Sequence, residues 1–256
     1  IPKRDWSSDV CSSDLVSLDI LTEVGGCAPV KALRLLEDLT SSGLLKPCGQ
    51  GGAGYYQFCD SARALEVIAR EEPALVCELG AALIRHLSQA DHPEDKAALA
   101  IANVHHLAGL PVSDARPLLR AADYCLKLGA REAAAIYYRL ALEARGQTAP
   151  NPREAAERVA SALGMLAACG HRMPLEQQEQ TLKQAREYAL QLNDQGNLCQ
   201  IHLRLGQIRK LRGDYRGAGR LFEKAWHLAV MLGGDQVRKE AALLSADFLF
   251  WQGRVS

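Results

Sequence analysis

Three glycines early in the chain have the spacing of a phosphate-binding loop. Gly49, Gly51 and Gly54 fit the pattern G-x-G-x-x-G, which holds a dinucleotide pyrophosphate when a strand precedes it and a helix begins directly after it. Here the next residues, Tyr55–Phe58, read YYQF and predict a strand. This context favours a hairpin turn over a nucleotide site, and no G-x-x-x-x-G-K-[ST] loop occurs in the chain.

The histidines and cysteines lack the spacing of a metal site. His105 and His106 are adjacent, so on a helix their side chains point about 100° apart and cannot chelate one ion. At least one of them is predicted to be a packing residue. The cysteines form no C-x-x-C pair, and we interpret them as small buried side chains in a reducing compartment. We therefore predict no catalytic residue, metal ion or cofactor.

Composition narrows the class of protein further. The 256 residues include 30 Lys plus Arg and 30 Asp plus Glu, a balance that disfavours a polybasic nucleic-acid or membrane-surface protein. A hydrophobic content of 48% with only 5% aromatic residues predicts packed helices and not a β-sandwich. No apolar run reaches the ~18 to 20 residues of a membrane helix, and no secretory signal is visible. We expect a mainly α, cytoplasmic protein without a membrane partner.

Residues 1–15 do not fit the pattern of a folded domain and are left out of the fold prediction. Asp5–Leu15 reads DWSSDVCSSDL, which looks like the translation of a common sequencing adapter, the alternative being an ordinary disordered leader. We predict a disordered, adapter-derived segment here, and we expect the chain from Val16 onward to be a fragment of a longer protein.

Residues 16–70 have the pattern of a winged helix. Val16–Val24 is predicted to be a short helix, and Pro29 suits the first turn of the next. That second helix carries an apolar stripe predicted to face the core, at Ala32, Leu35, Leu36 and Leu39. Strands are predicted at Leu44–Cys48 and Tyr55–Cys59, with the glycine-rich turn as the wing between them, followed by a helix from Ser61 to Arg70.

A winged helix raises the alternative of DNA binding, with the helix from Val30 to Ser41 in the major groove. Its charges disfavour this, because residues 16–70 hold five basic against six acidic side chains. Glu37 and Asp38 would lie on the recognition helix and repel phosphates. A structural linker role is favoured.

Residues 71–256 are predicted to be a helical repeat. Helical segments are broken at regular glycines, and Gly129, Gly170, Gly213 and Gly253 recur with a period of roughly 40 residues. A period of this size indicates helix pairs that bury their faces against their neighbours.

The last full repeat closely resembles a tetratricopeptide repeat. The residues that carry the resemblance are Leu205 and Gly206 in the first helix, Gly213-Asp214-Tyr215 at the turn, and Ala218, Phe222 and Ala225 in the second helix. An earlier unit matches more loosely through Ala122, Gly129, Ala134, Tyr138 and Ala141. The middle unit departs at Pro174, and the period is longer than that of the plain motif, which is about 34 residues. The resemblance implies an α-α superhelix of such pairs.

The order of these modules is similar to the region after the ATPase core in STAND-type regulatory P-loop ATPases. The resemblance rests on the winged-helix pattern, on ALAIANVHHLAGL and on ARPLLRAADYCLKLGAREAAAIYYRLALEA. It implies an ATPase domain upstream in the full-length protein and a repeat arm that senses an inducer or partner. We therefore expect a non-catalytic interaction arm, the alternative being a winged-helix transcription regulator that contacts DNA.

Stacked helix pairs line their concave face with the first helix of each pair. This predicts a mildly basic groove for an acidic peptide or other anionic ligand, lined by Arg116, Arg120, Asp123, Lys127, Gln200, Arg204, Gln207 and Lys210. The alternative is that these are ordinary solvated side chains. Asp235–Gln252 is predicted to be the first helix of a further pair, cut short at Ser256, through which the chain self-associates.

Overall fold

The structure is a computed structural model that describes residues 15–47, 55–59, 66, 70–89, 94–143, 151–233, 239 and 242–243. The chain divides into two compact units, Ile1–Ala130 and Arg131–Ser256. Most described residues are helical, and consecutive helices within each unit pack against one another. The prediction of a mainly α chain built from packed helix pairs is confirmed.

The first unit begins with a small antiparallel sheet and one helix. Strands β1 (Leu15–Ser17), β2 (Leu45–Pro47) and β3 (Tyr55–Phe58) lie in the order β1-β3-β2. Helix α1 (Pro29–Ser41) precedes β2 and contacts it. The two strands predicted on either side of the glycine-rich turn are confirmed, whereas the turn itself and most of the predicted helix from Ser61 lie outside the described residues.

The predicted helix over Val16–Val24 is wrong at its first two residues. Val16 pairs with Tyr56 in the sheet, whereas the chain is helical from Leu18 and forms a π-helical turn over Ile20–Val24. The β-branched Val16 fits a strand, and the backbone hydrogen bonds available from β3 outcompete a short isolated helix. Leu15, which the sequence analysis set aside, belongs to the same strand and pairs with Gln57.

Helix α1 buries less of its apolar stripe than predicted. Ala32 and Leu36 are buried and Leu39 is half-buried, but Leu35 is 36% exposed. Residues 32 and 36 are one turn apart on the face toward β2, whereas Leu35 lies about 100° away from Leu36. Three residues of the predicted stripe, Ala32, Leu36 and Leu39, therefore contribute to the core of this module, and Leu35 does not.

Three more helices complete the first unit, namely α2 (Pro73–Gln89), α3 (Glu94–Ala108) and α4 (Arg116–Lys127). Each packs on the next through small and aliphatic residues, among them Leu99, Ala102, Leu118 and Ala122. His105 is buried, with its Nδ1 3.3 Å from the carbonyl oxygen of Leu110, while His106 is exposed. The prediction that one of the two histidines is a packing residue is confirmed.

The second unit is a series of longer helices, α5 (Arg131–Glu143), α6 (Pro152–Cys169), α7 (Leu175–Gln191), α8 (Gln195–Leu211) and α9 (Tyr215–Leu232). Helix α5 packs on α6, α6 on α7, α7 on α8, and α8 on α9. Side chains of Asn151, Asp194 and Asp214 cap α6, α8 and α9 by accepting hydrogen bonds from backbone N–H groups three residues later. Each cap fixes where its helix begins.

Left-handed residues end these helices at a regular interval. Asn193, Gly213 and Gly233 follow one another at equal spacing, Gly109 and Gly129 are separated by the same stretch of chain, and all five have φ between 53° and 79°. Two helices therefore take about 40 residues, the period that the sequence predicts. Gly170 departs from this rule, because its φ is −53° and it continues α6 into a 3-10 turn, Gly170–Arg172, ahead of Pro174. Asn193 supplies the left-handed turn between the next two helices.

Two glycines of the second unit sit directly under aromatic rings of neighbouring helices. A Cβ on Gly206 of α8 would lie 2.7 Å from the ring of Phe222 of α9. A Cβ on Gly164 of α6 would overlap the ring of Tyr138 of α5. Both rings are almost fully buried. The Gly206 contact follows the tetratricopeptide pattern, whereas Tyr138 packs on the helix that follows it, a pairing the sequence analysis did not anticipate.

The prediction of buried cysteines is only partly correct. Cys125 and Cys199 are buried, while Cys59, at the end of β3, is exposed. The other described cysteines are half-buried.

We predict that Gly206→Ala lowers the free energy of unfolding by about 2 kcal/mol, because the added methyl group must displace the Phe222 ring from a close-packed site. Urea unfolding followed by circular dichroism measures the change. Gly196→Ala is the matched control in the same helix: its Cβ would meet only an Asp194 oxygen at 3.6 Å, so we expect no loss and a gain of up to about 1 kcal/mol from helix propensity.

The double variant Gly206→Ala with Phe222→Leu separates steric conflict from a general effect of the substitution. A smaller ring-free side chain leaves room for the methyl group, so the two changes together should cost less than their sum. Additive costs would contradict a direct contact.

Candidate binding site

The predicted groove residues divide between the two units. Arg116, Arg120, Asp123 and Lys127 lie on α4 in the first unit, and Gln200, Arg204, Gln207 and Lys210 lie on α8 in the second. Within each helix the four positions recur at spacings of three or four residues and so share one side. All eight are at least partly exposed.

Both arginines of the α4 set are already paired with carboxylates. Arg116 donates to both carboxylate oxygens of Asp114, and its Nη2 lies 2.6 Å from Oδ2. The Nε of Arg120 donates to Oδ1 of Asp95 at 2.7 Å. An anionic ligand would have to compete with these acids, so this set is less basic than its sequence suggests.

The strongest electrostatic cluster lies where α7 meets α8, and the sequence analysis missed it. Glu179 of α7 is only 5% exposed, although it is a charged residue on a helix rich in polar side chains. Its carboxylate accepts from Lys183 at 2.8 Å, from Arg209 Nη2 at 3.2 Å and from Arg212 Nη1. Only the Lys183 pair could be read from spacing along one helix, because the arginines are 30 and 33 residues away.

The cluster extends to the start of α9 and is neutral overall. Arg209 Nη1 also donates to Asp214 Oδ2 at 3.0 Å, and Arg212 Nη2 to Glu176 Oε1 at 3.2 Å. The Lys183 hydrogen bond, followed by the charges of Arg212 and Arg209, lowers the pKa of Glu179, although burial acts in the opposite direction. The backbone N–H of Gly217 is the main cause of the lowered pKa of Asp214, with Arg209 adding to it. Glu179 and Asp214 therefore stay ionised. Through Arg209, their ion pairs join α7, α8 and the start of α9.

Two further polar contacts join distant parts of the chain. In the first unit, His86 Nδ1 lies 2.8 Å from Glu23 Oε2 and links α2 to the π-helical turn. In the second, Arg158 of α6 donates to the Tyr188 hydroxyl of α7 at 2.7 Å, with its guanidinium 5.2 Å from the centre of the ring. Glu23 is far from His86 along the chain, so residue spacing gives no signal of this contact.

The described part of the chain holds no group of three or more His, Cys, Asp or Glu side chains placed to bind a metal ion. Gly49, Gly51 and Gly54 lie outside that part. None of the helices described is both long and apolar enough to cross a membrane.

No family model and no curated protein matches the chain. Among solved structures, the chain is similar to a signal transduction ATPase with numerous domains (STAND) protein with a tetratricopeptide repeat sensor from Pyrococcus horikoshii. The two are 12% identical with a TM-score of 0.44, over 93% of this chain and 45% of that one. This chain therefore spans less than half of that protein.

We predict that Glu179→Gln lowers the free energy of unfolding by about 1 to 2 kcal/mol at pH 7, because three half-exposed cations lose their shared carboxylate. Since the pKa of Glu179 is lower in the folded chain, its contribution is fully present above the ordinary value of 4.5 and disappears as the pH falls through the folded value. Urea unfolding at several pH values should show the two proteins converging in acid.

Glu176→Gln is the matched control, since Glu176 is 81% exposed and contacts only Arg212 in the cluster. We expect a change within about 0.5 kcal/mol. Equal effects of the two substitutions at pH 7 would contradict a special role for the buried carboxylate.

Proposed function

We propose that the chain is a non-catalytic protein-interaction and sensor arm of a larger, cytoplasmic signal-transducing ATPase or transcriptional regulator. The observation that carries the proposal is the pairing of α8 with α9. Gly206, Ala218, Phe222 and Ala225 of the tetratricopeptide pattern are buried between these two helices. Leu205 of the same pattern is buried in the core that α8 forms with α6 and α7. Helix pairs built in this way stack into superhelical arms that present one polar helix face for binding.

The face of α8 is the favoured binding surface. Gln200, Arg204, Gln207 and Lys210 form one side of α8, whereas Leu198, Leu205 and Ile208 are buried in the core. Two cations and two amides on one helix face suit an acidic peptide, since charged hydrogen bonds to carboxylates are the strong ones. In the α4 set, Arg116 and Arg120 pair with Asp114 and Asp95 and the set includes Asp123, so a ligand there meets acids as well as cations.

A winged-helix module at residues 16–70 is part of the proposal, with the repeat domain at residues 71–256. The strand order β1-β3-β2, with α1 between β1 and β2, supports it. Direct DNA contact through this module is the disfavoured alternative, because Glu37 and Asp38 are exposed on α1. The sheet and helix suit a structural linker better than a phosphate-binding surface.

The upstream ATPase domain is proposed from the resemblance of the repeat sequences and is tested by the genomic reading frame. A P-loop ATPase encoded directly upstream of Val16 would support the proposal. A start codon near Val16 with a stop after Ser256 would instead make the chain a freestanding adaptor. Self-association through Asp235–Gln252 stays a prediction, since most of that segment lies outside the described residues.

We predict that a fluorescein-labelled decapeptide rich in glutamate binds the chain, and that Arg204→Gln with Lys210→Gln weakens binding about tenfold, or ~1.4 kcal/mol. Fluorescence anisotropy at fixed ionic strength measures the Kd. The double variant Arg116→Gln with Arg120→Gln should weaken binding less. A matched loss of charge elsewhere, Arg216→Gln with Arg220→Gln on α9, should have little effect.

The proposal of an α8 groove fails if Arg204→Gln with Lys210→Gln binds the peptide as tightly as the unchanged chain. It also fails if a glutamine-rich peptide of the same length binds equally well, because charge would then play no part in recognition.

A further inference from the structure

The seam between α7 and α8 is electrostatically different at its two ends. At one end Glu179 of α7 meets Arg209 of α8. Arg186 lies seven residues after Glu179, and His202 lies seven residues before Arg209. Seven residues are about two helical turns, so these side chains return to the same faces. At the other end of the seam, Arg186 of α7 therefore faces His202 of α8. The position that a carboxylate, Glu179, takes at the first end is taken by an arginine at the second.

Arg186 and His202 each have a buried nitrogen without a partner. Among the described residues, neither the Nε of Arg186 nor the Nδ1 of His202 forms a hydrogen bond. A buried polar atom left in this way costs about 1 to 3 kcal/mol, so native proteins satisfy such atoms with protein groups, water or a ligand. Both residues are only half-buried as a whole, which places these nitrogens just below the surface.

A third cation approaches from α9. Burial lowers the pKa of His202, and the charges of Lys224 and Arg186 lower it further, so both cations lie within electrostatic reach of the imidazole. Lys224 is exposed. Within the described chain, no ion pair joins a carboxylate to Arg186, His202 or Lys224. Two fixed positive charges, one on α7 and one on α9, thus act on the imidazole of α8.

This region is separate from the predicted groove. His202 is two residues from both Gln200 and Arg204 on α8, and two residues turn a helix by about 200°. His202 therefore lies on the opposite side of α8 from Gln200 and Arg204 and about 80° around the helix from Lys210. The site uses none of the groove residues and is separate from the proposed function.

We propose that Arg186, His202 and Lys224 form a binding site for a phosphate group. Nitrogen donors that converge from three helices suit a tetrahedral anion with several oxygens better than a planar carboxylate, which pairs best with one arginine fork. The two fixed charges balance a phosphate dianion, and the imidazole adds a third donor as its Nδ1–H tautomer. The phosphate group belongs either to a small phosphate ester or to a phosphorylated side chain of a partner.

Thermal unfolding of the full chain tests the site with inorganic phosphate at about 20 mM, against sodium chloride at equal ionic strength and pH 7. Because a ligand that binds only the folded state raises its stability, we expect the Tm to rise by about 2 to 4 °C. Arg186→Gln and Lys224→Gln should each abolish the rise. Arg216→Gln, which removes another exposed cation of α9, should retain it.

The His202 resonance gives a second readout that does not depend on stability. Phosphate should shift its proton signal and raise its titration midpoint, because a bound anion favours the imidazolium form. AMP and O-phosphoserine, with adenosine and serine as controls, then distinguish a nucleotide-like ester from a phosphorylated side chain. The proposal is overturned if phosphate raises the Tm no more than chloride, or if Arg186→Gln and Lys224→Gln both keep the rise.

Discussion

The close approach of a glycine to an aromatic ring on the neighbouring helix is the constraint on which the second unit depends. Gly206 under Phe222 and Gly164 under Tyr138 leave no room for a Cβ. Each contact fixes both the distance between two helices and their register, because the ring can lie only over the residue that lacks a side chain. The alanines that line the same interfaces, such as Ala218 and Ala225, keep the helices equally close along their length.

Electrostatic interactions differ between the two ends of the seam where α7 packs on α8. At one end of the α7–α8 seam, Glu179 forms ion pairs with Lys183, Arg209 and Arg212. The far end presents Arg186 and His202 with no such acid among the described residues. The first end is a closed, neutral network that holds helices together, whereas the second retains positive charge and unsatisfied nitrogens. The same seam therefore contributes stability at one end and a candidate anion site at the other.

Sequence reasoning was successful where a signal is local. Helix ends at Gly129 and Gly213, the strands around the glycine-rich turn, and the Gly206–Phe222 pair all follow from spacing within one repeat. It failed where the decisive partner is distant. Val16 becomes a strand because Tyr56 pairs with it, and Glu179 is buried because arginines of the next helix reach it. Neither contact can be predicted from the spacing of residues within one helix or strand.

The central claim, that helices of the second unit are joined by glycine–aromatic contacts, is tested most directly by NMR of the full chain. The account predicts nuclear Overhauser contacts from the Gly206 Hα protons to the Phe222 ring and from the Gly164 Hα protons to the Tyr138 ring, with both glycine signals displaced by the ring currents. Glycine Hα signals at their ordinary positions, without contacts to either ring, would contradict it.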